Sequence, residues 1–94
     1  MKNLKRNKEM KLTMNNVIKM LKKSNIQITN IYHTPDPQVE DDMIELTNCV
    51  AININPFYHA GYITRLDSKN SVHFTEQTES IKELIGMVEY TLLK

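Results

Sequence analysis

His33, His59, His73 and Cys49 are the side chains of this 94-residue chain best suited to ligating a transition metal or to pairing a nucleophile with a base. A zinc-type site needs such groups in clusters at ligand spacing. Here they are scattered over separate segments, so no metal site is expected. Cys49 has no identifiable partner base, and its strand-like surroundings of small residues suit an inert thiol. The carboxylates Asp36, Glu40, Asp41 and Asp42 supply oxygen ligands of the kind calcium takes, but they lack the EF-hand spacing and its glycine. With Gly61 and Gly86 the only glycines, a phosphate-cradling loop is excluded. So short a chain also leaves little room for a deep pocket. The expectation is a protein that is not an enzyme and carries no cofactor.

Two groups of residues suit recognition better than catalysis. Phe57, Tyr58, His59 and Tyr62 surround Pro56 in a segment that no hydrophobic period obliges to be buried. Aromatic side chains offer large contact area at low entropic cost, which makes them interface anchors. With the acidic segment Asp36, Glu40, Asp41 and Asp42 they form the expected protein-binding set. The competing group is basic. Residues 1–23 contain eight lysines and arginines against Glu9 alone, a local charge of +7, whereas the four basic and ten acidic residues that follow give −6. A basic arm with Lys19, Lys22 and Lys23 behind it could follow a phosphate backbone or an acidic protein surface.

The elements that must position these groups can be read from periodicity. Residues 1–11 have no period and are rich in Lys and Asn, so they read as a mobile basic arm, with one domain over 12–94. Thr13 is a helix N-cap, Met14, Val17, Ile18 and Leu21 form the buried stripe, and Ser24 with Asn25 ends the helix. A strand is expected over 26–33, with Ile26, Ile28 and Tyr32 on one side. Pro35 and Pro37 make 34–42 a loop. One long strand is expected over 43–55, with Ile44, Leu46, Val50, Ile52 and Ile54 facing the core and Met43, Cys49 and Ala51 on an open face. A hairpin over 61–76 turns at Asp67 to Asn70. Ser80 with Glu83 forms a capping box ahead of a second helix whose stripe is Ile81, Leu84, Ile85, Val88 and Leu92. The fold class is therefore α+β, in the order α-β-β-β-β-α, with both helices on one face of an antiparallel sheet.

This order of helix, strands and helix resembles the double-stranded-RNA-binding domain in topology. That family grips phosphates with a lysine cluster at the start of its second helix. The present chain departs there, with Thr78-Glu79-Ser80-Ile81-Lys82-Glu83. Small size, an Asn-, Lys- and Ile-rich composition and the lack of any domain motif give the chain the style of a phage or mobile-element accessory protein. Such a protein would inhibit a host defence or regulatory complex by occupying a surface, as anti-CRISPR proteins do. A protein partner is thus expected, with a homodimer through the open sheet face as a further arrangement and nucleic acid as the alternative ligand. A lone cysteine and the absence of any 18-residue apolar run point to the cytoplasm, of the host if the protein is viral, and away from membranes.

Overall fold

A computed structural model describes residues 12–36, 38–67, 71–75 and 80–93. The expected basic arm at 1–11 lies outside them, as do residues 68–70 of the expected turn. The first helix, α1 (Met14–Lys23), starts where the sequence expects. Thr13 accepts a hydrogen bond from the Asn16 amide at 3.3 Å, satisfying one of the donors a helix start leaves unpaired. Leu12 and Val17, both buried, occupy the two positions of a hydrophobic staple across this cap. At the other end Asn25 adopts φ 61°, its amide donates to Lys22 and the Ile26 amide reaches back to Leu21 at 2.9 Å. This is a Schellman stop, and it drives Ile26 into the core beside Leu21.

Five strands follow: β1 (Ile28–Tyr32), β2 (Asp42–Leu46), β3 (Val50–Asn55), β4 (Ala60–Arg65) and β5 (Ser71–Thr75). They form one antiparallel sheet in sequence order, with β1 and β5 at the edges. The second helix, α2 (Ile81–Leu93), closes the described chain. Its capping box is formed as expected: the Ser80 amide donates to Glu83 Oε1 at 3.0 Å and the Glu83 amide to Ser80 Oγ at 3.2 Å. Val17 and Leu21 of α1 and Leu84, Ile85 and Val88 of α2 share one apolar cluster with Ile44, Ile52, Ile54 and Ile63 of the sheet. Both helices therefore cover the same face, and the α+β class stands.

The sheet has one strand more than the sequence period suggests. The expected strand over 43–55 breaks at Thr47–Cys49, where Asn48 (φ 58°) and Cys49 (φ 60°) are both left-handed and the Val50 amide donates to the Thr47 carbonyl. Two successive positive φ values define the hairpin turn whose twist matches that of the flanking strands. The inward set Ile44, Leu46, Val50, Ile52 and Ile54 is buried all the same, because the turn returns β3 to the parity of β2. A second departure is a register shift between Ile28 and Asn30. The extra residue, Thr29, donates its hydroxyl to the Glu45 carbonyl, and beyond this bulge Ile31 pairs with Ile44 on the core side. Tyr32, expected on the same side as Ile26 and Ile28, pairs instead with Met43 on the open face.

Candidate functional site

The β3–β4 turn and the loop between β1 and β2 meet at the same end of the sheet, and Asn55 joins them. Its Oδ1 accepts from the amides of both Phe57 and Tyr58 at 2.9 Å. Its Nδ2 donates to Asp41 Oδ1 at 3.1 Å and to the Glu40 carbonyl at 3.4 Å. Its own carbonyl accepts from the His59 amide at 2.9 Å. Residues 56–59 thus make one helical turn, with Asn55 as N-cap, Pro56 at the first position where its fixed φ fits, and His59 ending it at φ 55°. Just beyond, a Cβ on Gly61 would run into the Asn53 carbonyl, so only glycine lets the two strands close this tightly behind the turn.

That geometry divides the expected aromatic group. Phe57 and Tyr58 point outward, 55 % and 65 % exposed, with ring centroids 4.9 Å apart and planes at 89°. Such an edge-to-face pair holds both rings in a defined shape while leaving their outer faces to solvent. His59 is turned back, its Nδ1 3.3 Å from the carbonyl of Leu12, where it pins the entry to α1. Tyr62 lies on the open sheet face, 5.4 Å from the ring of His73.

The acidic group divides in the same way. Asp36 and Glu40 are exposed; the Asp36 carboxylate accepts the Gln38 amide, and Glu40 Oε1 accepts the Thr34 hydroxyl at 2.8 Å. These local bonds shape the loop yet leave both charges at the surface. Asp41 is half-buried against Asn55. Asp42, only 5 % exposed, is a structural residue: it accepts the Thr34 amide at 2.7 Å and lies 3.4 Å from His33 Nδ1. A carboxylate so buried has to be paired, and it is not available to a partner. The expectation of Asp42 as a binding residue is corrected accordingly.

The open face also differs from expectation. Ala51 is 0 % exposed, flanked in register by Glu45 and Thr64, and Cys49 has left the face for the hairpin turn. Asn30 donates to the Tyr32 hydroxyl, which in turn donates to Glu45 Oε1. Asn30, Tyr32 and Glu45 thus form a hydrogen-bonded chain at the β1 side of this face, and of the expected residues Met43, Cys49 and Ala51 only Met43 keeps partly exposed surface on it. Lys19, Lys22 and Lys23 are exposed on α1 as expected. Lys22 and Lys23 occupy its last turn, where a cation also suits the helix dipole.

No family model, curated protein or solved structure matches the chain. Its function therefore has to be read from its own surfaces. Among the described residues no three His, Cys, Asp or Glu side chains converge as a metal site would require. Within the same residues no helix is long and apolar enough to cross a membrane. Sequence reasoning missed Asn55, which organises the whole end. The available signal was the Asn-Pro dipeptide, a turn initiator with an N-cap residue in its first place.

Proposed function

We propose that this protein is a small non-enzymatic binding module that docks the acidic and aromatic end of its sheet onto a basic patch of a larger protein. The observation that carries the proposal is the outward Phe57–Tyr58 pair, held by the same Asn55 that braces the acidic loop. Two rings more than half exposed gain nothing from the core, yet their backbone is fixed by two amide caps. Fixing the turn lowers the entropy a partner must remove on binding. Arginine and lysine suit such a surface twice over, since a cation is attracted both to an aromatic face and to the charges of Asp36 and Glu40.

The narrower reading is an accessory protein of a phage or mobile element, acting in the host cytoplasm. There it would inhibit a defence or regulatory complex as anti-CRISPR proteins do, by covering a surface rather than by chemistry. Chain length and composition support it, and so does a surface whose anchors need no cofactor. The competing reading is nucleic-acid binding through Lys19, Lys22 and Lys23, which share one exposed side of α1.

Capture from the native host separates the two. The expected result is one protein retained in defined stoichiometry after nuclease treatment, and lost both by Phe57→Ala/Tyr58→Ala and by Asp36→Asn/Glu40→Gln. Each ring should account for roughly a tenfold change in Kd, the scale of a well-packed interface anchor. Retention unaffected by either double variant would end the proposal. So would binding that vanishes in Lys19→Ala/Lys22→Ala/Lys23→Ala and falls steeply with salt, the signature of phosphate contacts.

A further inference from the structure

The basic N-terminal stretch and the acidic loop, far apart in the chain, are brought to one place by the fold. Leu12, the first described residue, is 1 % exposed, and its carbonyl lies 3.3 Å from Nδ1 of His59, the last residue of the turn that presents Phe57 and Tyr58. The basic arm at 1–11 therefore leaves the domain from the flank of that turn. It does not leave from the opposite end, where α1 finishes and Asn25 leads toward β1. The turn and the β1–β2 loop are two strand spacings apart, about 10 Å, and Asn55 bridges them.

Charge identifies what the arm meets there. Residues 33–42 and 55–60 contain four carboxylates and no lysine or arginine. Asp42 is buried and Asp41 half-buried, which leaves Asp36 and Glu40 as the exposed charges. The other described carboxylates are engaged in their own elements: Asp67 is gripped by Arg65, Glu45 accepts the Tyr32 hydroxyl and Glu83 caps α2. Against this end the arm brings Lys2, Lys5, Arg6, Lys8 and Lys11 with Glu9 alone, a net charge of 5 − 1 = +4. Extended chain covers roughly 3.3 Å per residue, so Lys8 and Arg6 stand about 13 and 20 Å of chain from Leu12, enough to cross from the turn to the loop. A tether that short holds the arm at an effective concentration on the order of millimolar.

We infer that the arm docks over the acidic and aromatic end of its own chain, with Lys5, Arg6 and Lys8 against Asp36 and Glu40 and beside the rings of Phe57 and Tyr58. The cations gain the two attractions that would draw a basic partner, to a carboxylate and to an aromatic face, and the arm is thus an internal mimic of that partner. Its regulatory effect rests on the function proposed above: a partner has to displace the arm, so apparent affinity falls with the fraction of chains whose end is covered. The contact itself needs no partner.

Nuclear magnetic resonance on the full chain tests the contact alone. Lys5→Gln/Arg6→Gln/Lys8→Gln is expected to move the ring signals of Phe57 and Tyr58 and the amide signals of Asp36 and Glu40. Asp36→Asn/Glu40→Gln is expected to move the amide signals of residues 5–8 in return. Salt raised to about 1 M should carry the natural chain toward the triple variant, while Asn48 and Asp67 at the other end stay fixed. Nearness through the tether alone would not respond to charge in this reciprocal way. Rings and loop indifferent to the arm's charges overturn the inference, and so do shifts that grow with protein concentration, which would place the arm of a second copy there. Against the captured partner, the triple variant is expected to bind about fivefold tighter, as for an arm that covers the end roughly four-fifths of the time. Equal or weaker binding overturns the regulatory role. Reciprocal shifts without any captured protein would sink the proposed function and leave the arm contact standing.

Discussion

Asn55 is the residue on which the candidate surface depends most. One side chain caps the Phe57 and Tyr58 amides with its oxygen and holds Asp41 with its nitrogen. Asn55→Ala removes both, and by the usual scale of a lost cap it should cost about 1 to 2 kcal/mol in urea denaturation. Partner affinity should fall by more than stability predicts, because the rings lose their fixed presentation. Asn55→Asp separates the two roles. It preserves the acceptor for the amides but places a second carboxylate against Asp41, so the turn should survive while the acidic loop is pushed away. A chain in which both substitutions leave affinity intact would show that the turn needs no such brace.

At the scale of the element, the β2–β3 hairpin is strained at a place the sequence alone can correct. Cys49 is held at φ 60°, a conformation costing a non-glycine residue roughly 1 to 2 kcal/mol. Glycine relieves this but brings about 0.5 to 1 kcal/mol of additional unfolded-state entropy. Cys49→Gly, which creates the Asn-Gly pair favoured in such turns, should therefore stabilise the protein by roughly 0.5 to 1 kcal/mol. Thermal or denaturant unfolding checks it, and a loss of stability would mean that the thiol makes a contact worth more than the strain. The helices show the opposite case. Thr13, Asn25, and Ser80 with Glu83 are local signals acting over three or four residues, and each does in the structure what its type and position imply.

At the scale of the whole molecule, Arg65 ties the last turn of α2 to the sheet. Its Nη1 donates to the Thr91 carbonyl at 3.1 Å, while Nε and Nη2 grip the two oxygens of Asp67. That grip, opposed in part by desolvation, lowers the Asp67 carboxyl below its ordinary value. A depressed carboxyl contributes stability above its unfolded value, near about pH 4, and loses it as the pH falls through the folded value. Asp67→Asn should thus be less stable than the natural chain at neutral pH and converge with it in acid. Asp67 is exposed while Arg65 is half-buried, so the gap should also narrow, in part, in high salt. Denaturation at several pH values and two ionic strengths reads this directly; a gap that widens in acid would contradict it. Arg65→Ala should cost more than Asp67→Asn, since it also abandons the Thr91 carbonyl.

The sequence by itself determined the parts of this protein that are local or periodic. Helix caps act within one turn, and the parity of Ile44 to Ile54 follows from the two-residue period of a strand, so both were legible without a fold. Parity even survived the break at Thr47–Cys49, although the break itself did not show: Asn-Cys has no glycine, and its left-handed turn is imposed by the two strands it joins. Tertiary structure alone decided which of two like residues does which work. Asp36 and Asp42 are six positions apart in one acidic segment, yet one carboxylate faces water and the other is buried under Thr34 and His33. Phe57 and Tyr62 belong to one aromatic stretch, yet one crowns a turn and the other joins His73 on the sheet. Burial and hydrogen-bond geometry depend on residues distant in the chain. Composition could therefore name the candidates, and only the fold shows which of them reach the surface.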